Sequence, residues 1–274
     1  MITSTSNQKV KRLASLRKKR KERDAEQIFL TEGIRMFREV PSDRLAELYV
    51  TADFYEKNRR LVEETAGKAG ICPEVFSDQV FAYISDTKTP QGVLCVVRRR
   101  QEQKPVELLG GGRDGRPPLL MILDRLQDPG NLGTILRTGE GAGVTGILLS
   151  RDCVDLYNPK TIRSTMGSIY RMPCAYVDHM EELFAELRER KICTYAAHLE
   201  GQADYDEEDY TKGSAFLIGN EGNGLSREVA DLADVYIRIP MEGEVESYNA
   251  AIAATVLMFE AGRQRRVQHK TKAV

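Results

Sequence analysis

The sequence is poor in the residues and runs that mark several common functional classes. Its histidines number three, His179, His198 and His269, and they form no cluster. Its five cysteines, Cys72, Cys95, Cys153, Cys174 and Cys193, are scattered through mostly apolar stretches at no metal-ligand spacing. They read as reduced, buried thiols of a cytosolic protein, and no metal site is expected. No apolar run approaches the roughly 20 residues of a membrane span. The N-terminus runs from Met1-Ile2-Thr3-Ser4 towards lysine and arginine, with no apolar signal region. The glycine run Gly110-Gly111-Gly112 is not followed by Gly-Lys-Ser/Thr, so it is not a phosphate-binding P-loop. No Gly-x-Gly-x-x-Gly opens a helix, which argues against an ordinary dinucleotide-dependent enzyme.

What is present is a chain of 274 residues, 41% hydrophobic and 30% charged, enough for two ordinary domains or one large one. The net charge of −1 conceals an asymmetry. Nine cations, from Lys9 to Arg23, crowd the first 23 residues against the single acid Glu22. Such a run is either a solvated helix face or a nucleic-acid contact, and its density favours RNA or DNA. Residues 1–97 read as a small α/β unit. It opens with a helix whose apolar stripe is Val10, Leu13 and Leu16, and its last strand is 91–97. Residues 98–118, rich in glycine and charge, read as a flexible linker without an element of its own. From 119 onwards apolar strands (119–123, 146–149, 173–177, 193–197, 215–218 and 235–239) alternate with helical segments (131–142, 158–169, 178–190, 226–233 and 247–263). That alternation predicts a parallel sheet covered on both faces. Asp204 to Asp209 reads as a solvated acidic loop, and residues from Gln264 as a fraying end.

Three stretches carry chemistry. In Asp124-Arg125-Leu126-Gln127-Asp128-Pro129-Gly130-Asn131-Leu132-Gly133-Thr134-Ile135-Leu136-Arg137, Asp-Pro-Gly reads as a turn and Asn131 as a helix N-cap. In Phe216-Leu217-Ile218-Gly219-Asn220-Glu221-Gly222-Asn223-Gly224-Leu225-Ser226, a buried strand breaks into three glycines around one carboxylate, and a serine is placed to cap the next helix. In the third, Ile239-Pro240-Met241 ends a strand, and Ser247-Tyr248-Asn249-Ala250-Ala251 follows, with Ser247 expected as cap of a thin, alanine-lined helix.

In this order and spacing the three stretches resemble the SpoU (TrmH-type) family of RNA ribose methyltransferases, in the SPOUT superfamily. The resemblance takes in Asn158-Pro159-Lys160, Arg163 and Met166-Gly167. It extends to Glu32-Gly33 and Gln91-Gly92-Val93 of the first unit, which is similar to a small ribosomal-protein-like substrate-binding domain. It implies an α/β fold with an RNA-binding domain at 1–97, the linker 98–118, and a SPOUT methyltransferase domain at 119–274 whose parallel sheet carries a deep trefoil knot. General topology rules would have excluded the knot. The resemblance further implies a cytoplasmic homodimer that uses S-adenosyl-L-methionine to methylate a ribose 2′-hydroxyl in RNA. Ribosomal RNA is preferred to transfer RNA on grounds of fold analogy. By the family pattern the catalytic residues are Asn131, Arg137, Glu221, Ser247 and Asn249. The cofactor is held by Leu217, Gly219, Ile239, Met241 and Tyr248, and RNA by Lys18, Lys19, Lys21 and Arg163. Tyr248 and Ala250 depart from the leucine and valine usual in the family, which bears on the shape of the adenine pocket. The alternative is a non-catalytic RNA-binding or ribosome-assembly protein that kept the fold.

Overall fold

A computed structural model of the chain describes residues 1–112 and 114–272, the side chains of 269–272 excepted. The His269 imidazole and the last two residues therefore lie outside the described part of the chain. The chain forms two compact units, one of Met1–Gln101 with Asp155–Tyr170, the other of Glu102–Val154 with Arg171–Val274.

The first unit is a four-stranded sheet of β1 (Ile28–Glu32), β2 (Leu45–Thr51), β3 (Glu74–Phe76) and β4 (Val93–Arg98), in the order β1-β4-β2-β3. Strand β4 runs antiparallel to both neighbours, while β2 and β3 are parallel. Helical spacing puts Val10, Leu13 and Leu16 on one face of the Gln8–Lys18 helix. All three are fully buried in a core shared with Tyr49, Phe76, Phe81 and Val96. The segment 155–170 clusters with this unit, although its sequence places it among the strands of the second. It is held by the buried Arg23–Asp155 ion pair at 2.6 Å and by Tyr170, whose hydroxyl donates to Thr31 Oγ1.

The second unit is a seven-stranded parallel sheet: β5 (Leu119–Leu123), β6 (Gly146–Ser150), β7 (Cys174–Val177), β8 (Cys193–Ala197), β9 (Ala203–Asp204), β10 (Ser214–Ile218) and β11 (Val235–Arg238). The order is β7-β6-β5-β10-β8-β11-β9. Every residue of β5, β6 and β10 is buried, the pattern of central strands covered on both faces. The late strand β10 inserts between β5 and β8. The parallel register Leu123↔Ile218 then delivers the first two signature loops side by side at the carboxyl edge of the sheet.

Three expectations are corrected. The segment 98–118 is not without structure: Pro105–Gly110 form a 3₁₀ turn that buries Leu108 and Leu109. Leu108 fits there because Gly146 has no Cβ; one would stand 2.9 Å from Leu108. The acidic stretch at 204–209 is only partly free, since Asp204 extends the sheet as β9 and pairs with Arg238 at 2.6 Å. The last helix does not fray at Gln264 but runs Ala250–Lys272. Arg265 anchors it by donating to the carbonyls of Tyr210, Pro117, Pro118 and Lys212. Burial, with Arg116 nearby, pushes this guanidinium down to about 10.

Candidate active site

The helix after β5, Pro129–Ala142, begins two residues before Asn131. Asp128 is its N-cap, accepting from Asn131 N at 2.9 Å, and Pro129 occupies the first turn, where a missing N–H costs nothing. Asn131 is thus not the cap. Its side chain is released for another task, and it turns to Glu221.

Glu221 sits at the tip of the glycine loop after β10. Its carboxylate accepts from Gln127 N at 3.0 Å, from Asp128 N at 2.9 Å and from Asn131 Nδ2 at 2.9 Å. Asn131 Oδ1 in turn accepts from Asn249 Nδ2 at 3.0 Å. Asn249 Oδ1 accepts from the N–H groups of Ala251 and Ile252, at 2.9 and 3.3 Å. Asn249, not Ser247, therefore caps the last helix. The relay has one polarity. A carboxylate only accepts, so Asn131 must present its amide nitrogen to Glu221 and its oxygen to Asn249, whose own oxygen is left for the helix N–H groups. Burial raises the Glu221 pKa, but the hydrogen bonds from Asn131, Gln127 and Asp128 outweigh it and hold the carboxyl below the ordinary 4.5.

The loop that carries Glu221 is shaped by close approach. A Cβ on Gly219 would lie 2.1 Å from the backbone of Gly224 and Leu225. Asn220 and Gly224 exchange two backbone hydrogen bonds of 2.9 Å, and Gly224 has φ +67°. Asn220 Oδ1 accepts from Gly222 N and Asn223 N, and its Nδ2 donates to Arg125 O at 2.9 Å. At the foot of the loop Asp124, 3% exposed, accepts from Ser226 N and Oγ at 3.1 and 2.8 Å. Ser226 thus stands at the N-cap position, yet its hydroxyl ties the start of the helix Arg227–Ala230 to the end of β5 instead of capping.

A cavity of about 760 Å³ opens beside this relay at the carboxyl ends of β8, β10 and β11. Gly219, Glu221, Ile239, Met241, Ser247 and Tyr248 line it. Leu217 does not: it is fully buried in the core under the sheet, and Ile218 takes the wall position. A second groove of about 750 Å³ adjoins it past His198 and Leu225. Volume does not separate the two. The signatures do, because two of them line the first cavity and only Leu225, of all three, reaches the second.

The first cavity suits S-adenosylmethionine. Its size is that of a small-molecule site, and its lining mixes apolar residues and glycines with a few polar side chains. Its lining includes the acids Glu221 and Glu246 and the arginine Arg238, which is paired with Asp204. Arg137 lies six residues beyond Asn131, about 240° round the helix. It is exposed and makes no side-chain hydrogen bond or ion pair among the described residues. The structure joins Asn131, Glu221 and Asn249 directly, places Ser247 on the cavity wall, and leaves Arg137 free.

The basic N-terminus is largely spent internally. Lys9 pairs with Glu74, Arg12 with Glu26 and Glu47, Arg20 with Asp24, and Arg23 with Asp155, while Arg17 donates to Ser85 O. Of the expected RNA contacts, Lys19 pairs with Glu22 at 3.0 Å and Arg163 with Asp86. Lys18 and Lys21 are exposed and, with Lys11, have no partner among the described residues.

Sequence reading passed over Asp124, Asp128 and Asn220. Each left a signal: an acid closing an all-apolar strand, an Asp-Pro pair before a helix, and an asparagine two residues ahead of a glycine.

Comparison with known proteins agrees with this geometry. Residues 118–259 match the model of the SpoU rRNA Methylase family, and residues 7–95 that of the MRM3-like substrate binding domain. The chain is 31% identical to the 23S rRNA (guanosine(2553)-2′-O)-methyltransferase RlmP of Bacillus subtilis, over 94% of this chain and 97% of that one. It is 33% identical to the 23S rRNA (guanosine-2′-O-)-methyltransferase RlmB of Xylella fastidiosa, over 82% and 90%. Among solved structures, the AdoMet-bound rRNA methyltransferase of Sinorhizobium meliloti superposes with a TM-score of 0.83 at 30% identity, covering 96% of this chain and 97% of that one. The chain belongs to the SpoU rRNA methylase family.

Proposed function

We propose that this protein transfers the methyl group of S-adenosylmethionine to a ribose 2′-hydroxyl of RNA, with ribosomal RNA as substrate. The observation that carries the reading is the relay Glu221–Asn131–Asn249, which joins all three signatures beside one cavity of small-molecule size. The full-length relatives named as ribosomal RNA ribose methyltransferases support it.

The chemistry follows from the groups present. The bound cofactor would supply an electrophilic methyl carried by a sulfonium. A ribose hydroxyl is a weak nucleophile, so the protein must align it and stabilise the alkoxide charge that develops. Arg137 is suited to stabilisation and to clamping an RNA phosphate. A guanidinium has no proton-accepting site of its own at work here, so it is a poor general base. Ser247, on the cavity wall, is positioned against the reacting hydroxyl. Gly219, Ile239, Met241 and Tyr248 hold the cofactor. Lys18 and Lys21 supply phosphate contacts from the first unit, with Lys19 able to exchange its exposed pair with Glu22 for one.

The homodimer and the knot belong to the same reading. Ile252 and Phe259, one heptad apart on the last helix, are 51% and 45% exposed, an apolar stripe suited to a second copy of the chain. With ribosomal RNA as substrate, the site of action in this reading is the cytoplasm. The test is incubation of purified protein with labelled S-adenosylmethionine and total RNA from cells lacking it, with the label mapped to sugars. Label on a 2′-oxygen of ribosomal RNA is the expected result. Calorimetric binding of the cofactor without any labelled ribose would favour a non-catalytic RNA-binding protein instead.

A further inference from the structure

Four non-glycine residues have positive φ among the described residues: Gln27, Arg125, Met166 and Lys191. Gln27 and Met166 are helix C-caps, and Lys191 directly follows Arg190, the C-cap of the helix Met180–Glu189, a place where left-handed backbone is routine. Arg125, at φ +52°, is different. It follows β5 at the carboxyl edge of the sheet, inside the first signature.

Its backbone is clamped from three sides. Arg125 N donates to Ser150 Oγ at 2.9 Å, and Arg125 O accepts from Asn220 Nδ2 at 2.9 Å and Gln127 Nε2 at 3.2 Å. All three bonds use main-chain atoms, so glycine would make them equally well and without the steric cost of a Cβ in this conformation. The clamp explains the backbone and not the side chain.

Nor is the side chain explained by its neighbour. Arg125 Nε is buried and makes no hydrogen bond. Asp124 Oδ2 lies 3.5 Å away, but that oxygen already accepts twice from Ser226. The side chain as a whole is 43% exposed, although its Nε is covered. Strained residues that the surrounding structure over-determines gather at functional sites.

We propose that Arg125 is a substrate-contact residue whose guanidinium binds an RNA phosphate at the rim of the methyl-transfer site. The assignment rests on the function proposed above. The cofactor cavity does not include Arg125 in its lining, so the anion it meets is the phosphodiester and not the carboxylate of the cofactor. A planar, permanently charged fork with a free head is the side chain suited to that partner.

The experiment compares wild type, Arg125→Gly and Arg125→Lys by three measurements: affinity for poly(U) across a salt series, melting midpoint, and calorimetric affinity for S-adenosylmethionine. Arg125→Gly should lower the slope of log affinity against log salt by about 0.7, the value of one single-strand phosphate contact. Its midpoint should equal or exceed that of wild type, and its cofactor affinity should not change. Arg125→Lys should keep the wild-type slope. An unchanged slope in Arg125→Gly overturns the assignment, as does a lowered midpoint, which would make the side chain a structural support. If wild type retains both the cofactor and RNA while the assignment fails, the proposed function stands without it. If wild type retains neither, both fall.

Discussion

Glu221→Gln is the sharpest test of the relay. The substitution preserves size and removes two things, the charge and one acceptor. In the structure both carboxylate oxygens are occupied: Oε1 accepts from Asp128 N and Asn131 Nδ2, Oε2 from Gln127 N. A glutamine has a single oxygen, so its amide NH₂ must face a donor whichever way it is turned. One hydrogen bond is lost and the others weaken from charge-assisted to neutral. The site is open to water, so the low end of the usual range applies and the loss is about 2 kcal/mol. For a unit of this size that lowers the melting midpoint by roughly 4–8 °C. The sign of the pH dependence gives an internal control. The Glu221 pKa in the folded protein lies below 4.5, so its contribution is present above that value and is lost as pH falls through the folded pKa. The gap between wild type and Glu221→Gln should therefore be full at neutral pH and close in acid. Activity should fall further than stability, because an Asn131 no longer held by a carboxylate can reverse and take the cap of the last helix with it. Melting curves of both proteins across pH, with single-turnover methylation of RNA at neutral pH, read all of this. Coincident midpoints at neutral pH, or a gap that widens in acid, would refute the reasoning.

Arg137→Ala should cut single-turnover methylation by ~10²–10³, the scale for one preorganised donor. Its melting midpoint should not move, since Arg137 is exposed and makes no bond among the described residues. A lowered midpoint would assign it to the fold instead. Gly219→Ala should abolish calorimetric binding of S-adenosylmethionine, because the new methyl group would stand 2.1 Å from the backbone of Gly224 and Leu225 and the loop would have to open. Wild-type binding in that variant would separate the loop from the cofactor site.

The parts of this molecule legible in its sequence are those whose cause is local. The central strands announce themselves because a parallel strand buried on both faces must be apolar throughout, as Leu119–Leu123 is. The glycine loop announces itself because close backbone approach excludes a Cβ. What the sequence hides is partnership at a distance. Asn131 looks like a cap because a cap is the local use of asparagine. Its true partners, Glu221 and Asn249, lie 90 and 118 residues away. Leu217 looks like a cavity wall because it neighbours Gly219, but alternation along β10 turns it into the core and leaves the wall to Ile218. The linker looks mobile because its glycines are visible, while the pocket for Leu108 is made by a glycine 38 positions on.

The basic N-terminus shows the same logic with a consequence for function. Nine cations in 23 residues read as a single RNA-binding surface as long as their partners are unseen. Folding brings Glu74, Glu47 and Asp155 to three of them from 35 to 132 residues away. A cation held by a buried carboxylate, as Arg23 is by Asp155, contributes to the unit that displays the surface rather than to the surface. Charge density in a sequence is therefore an upper bound on charge available to a polyanion. The lysines without a partner among the described residues, Lys11, Lys18 and Lys21, with Lys19 in its exposed pair, form a smaller candidate footprint than the run suggests. A smaller footprint lowers the share of affinity that is blind to RNA sequence, and an enzyme that must find one ribose in a long polyanion gains selectivity from that.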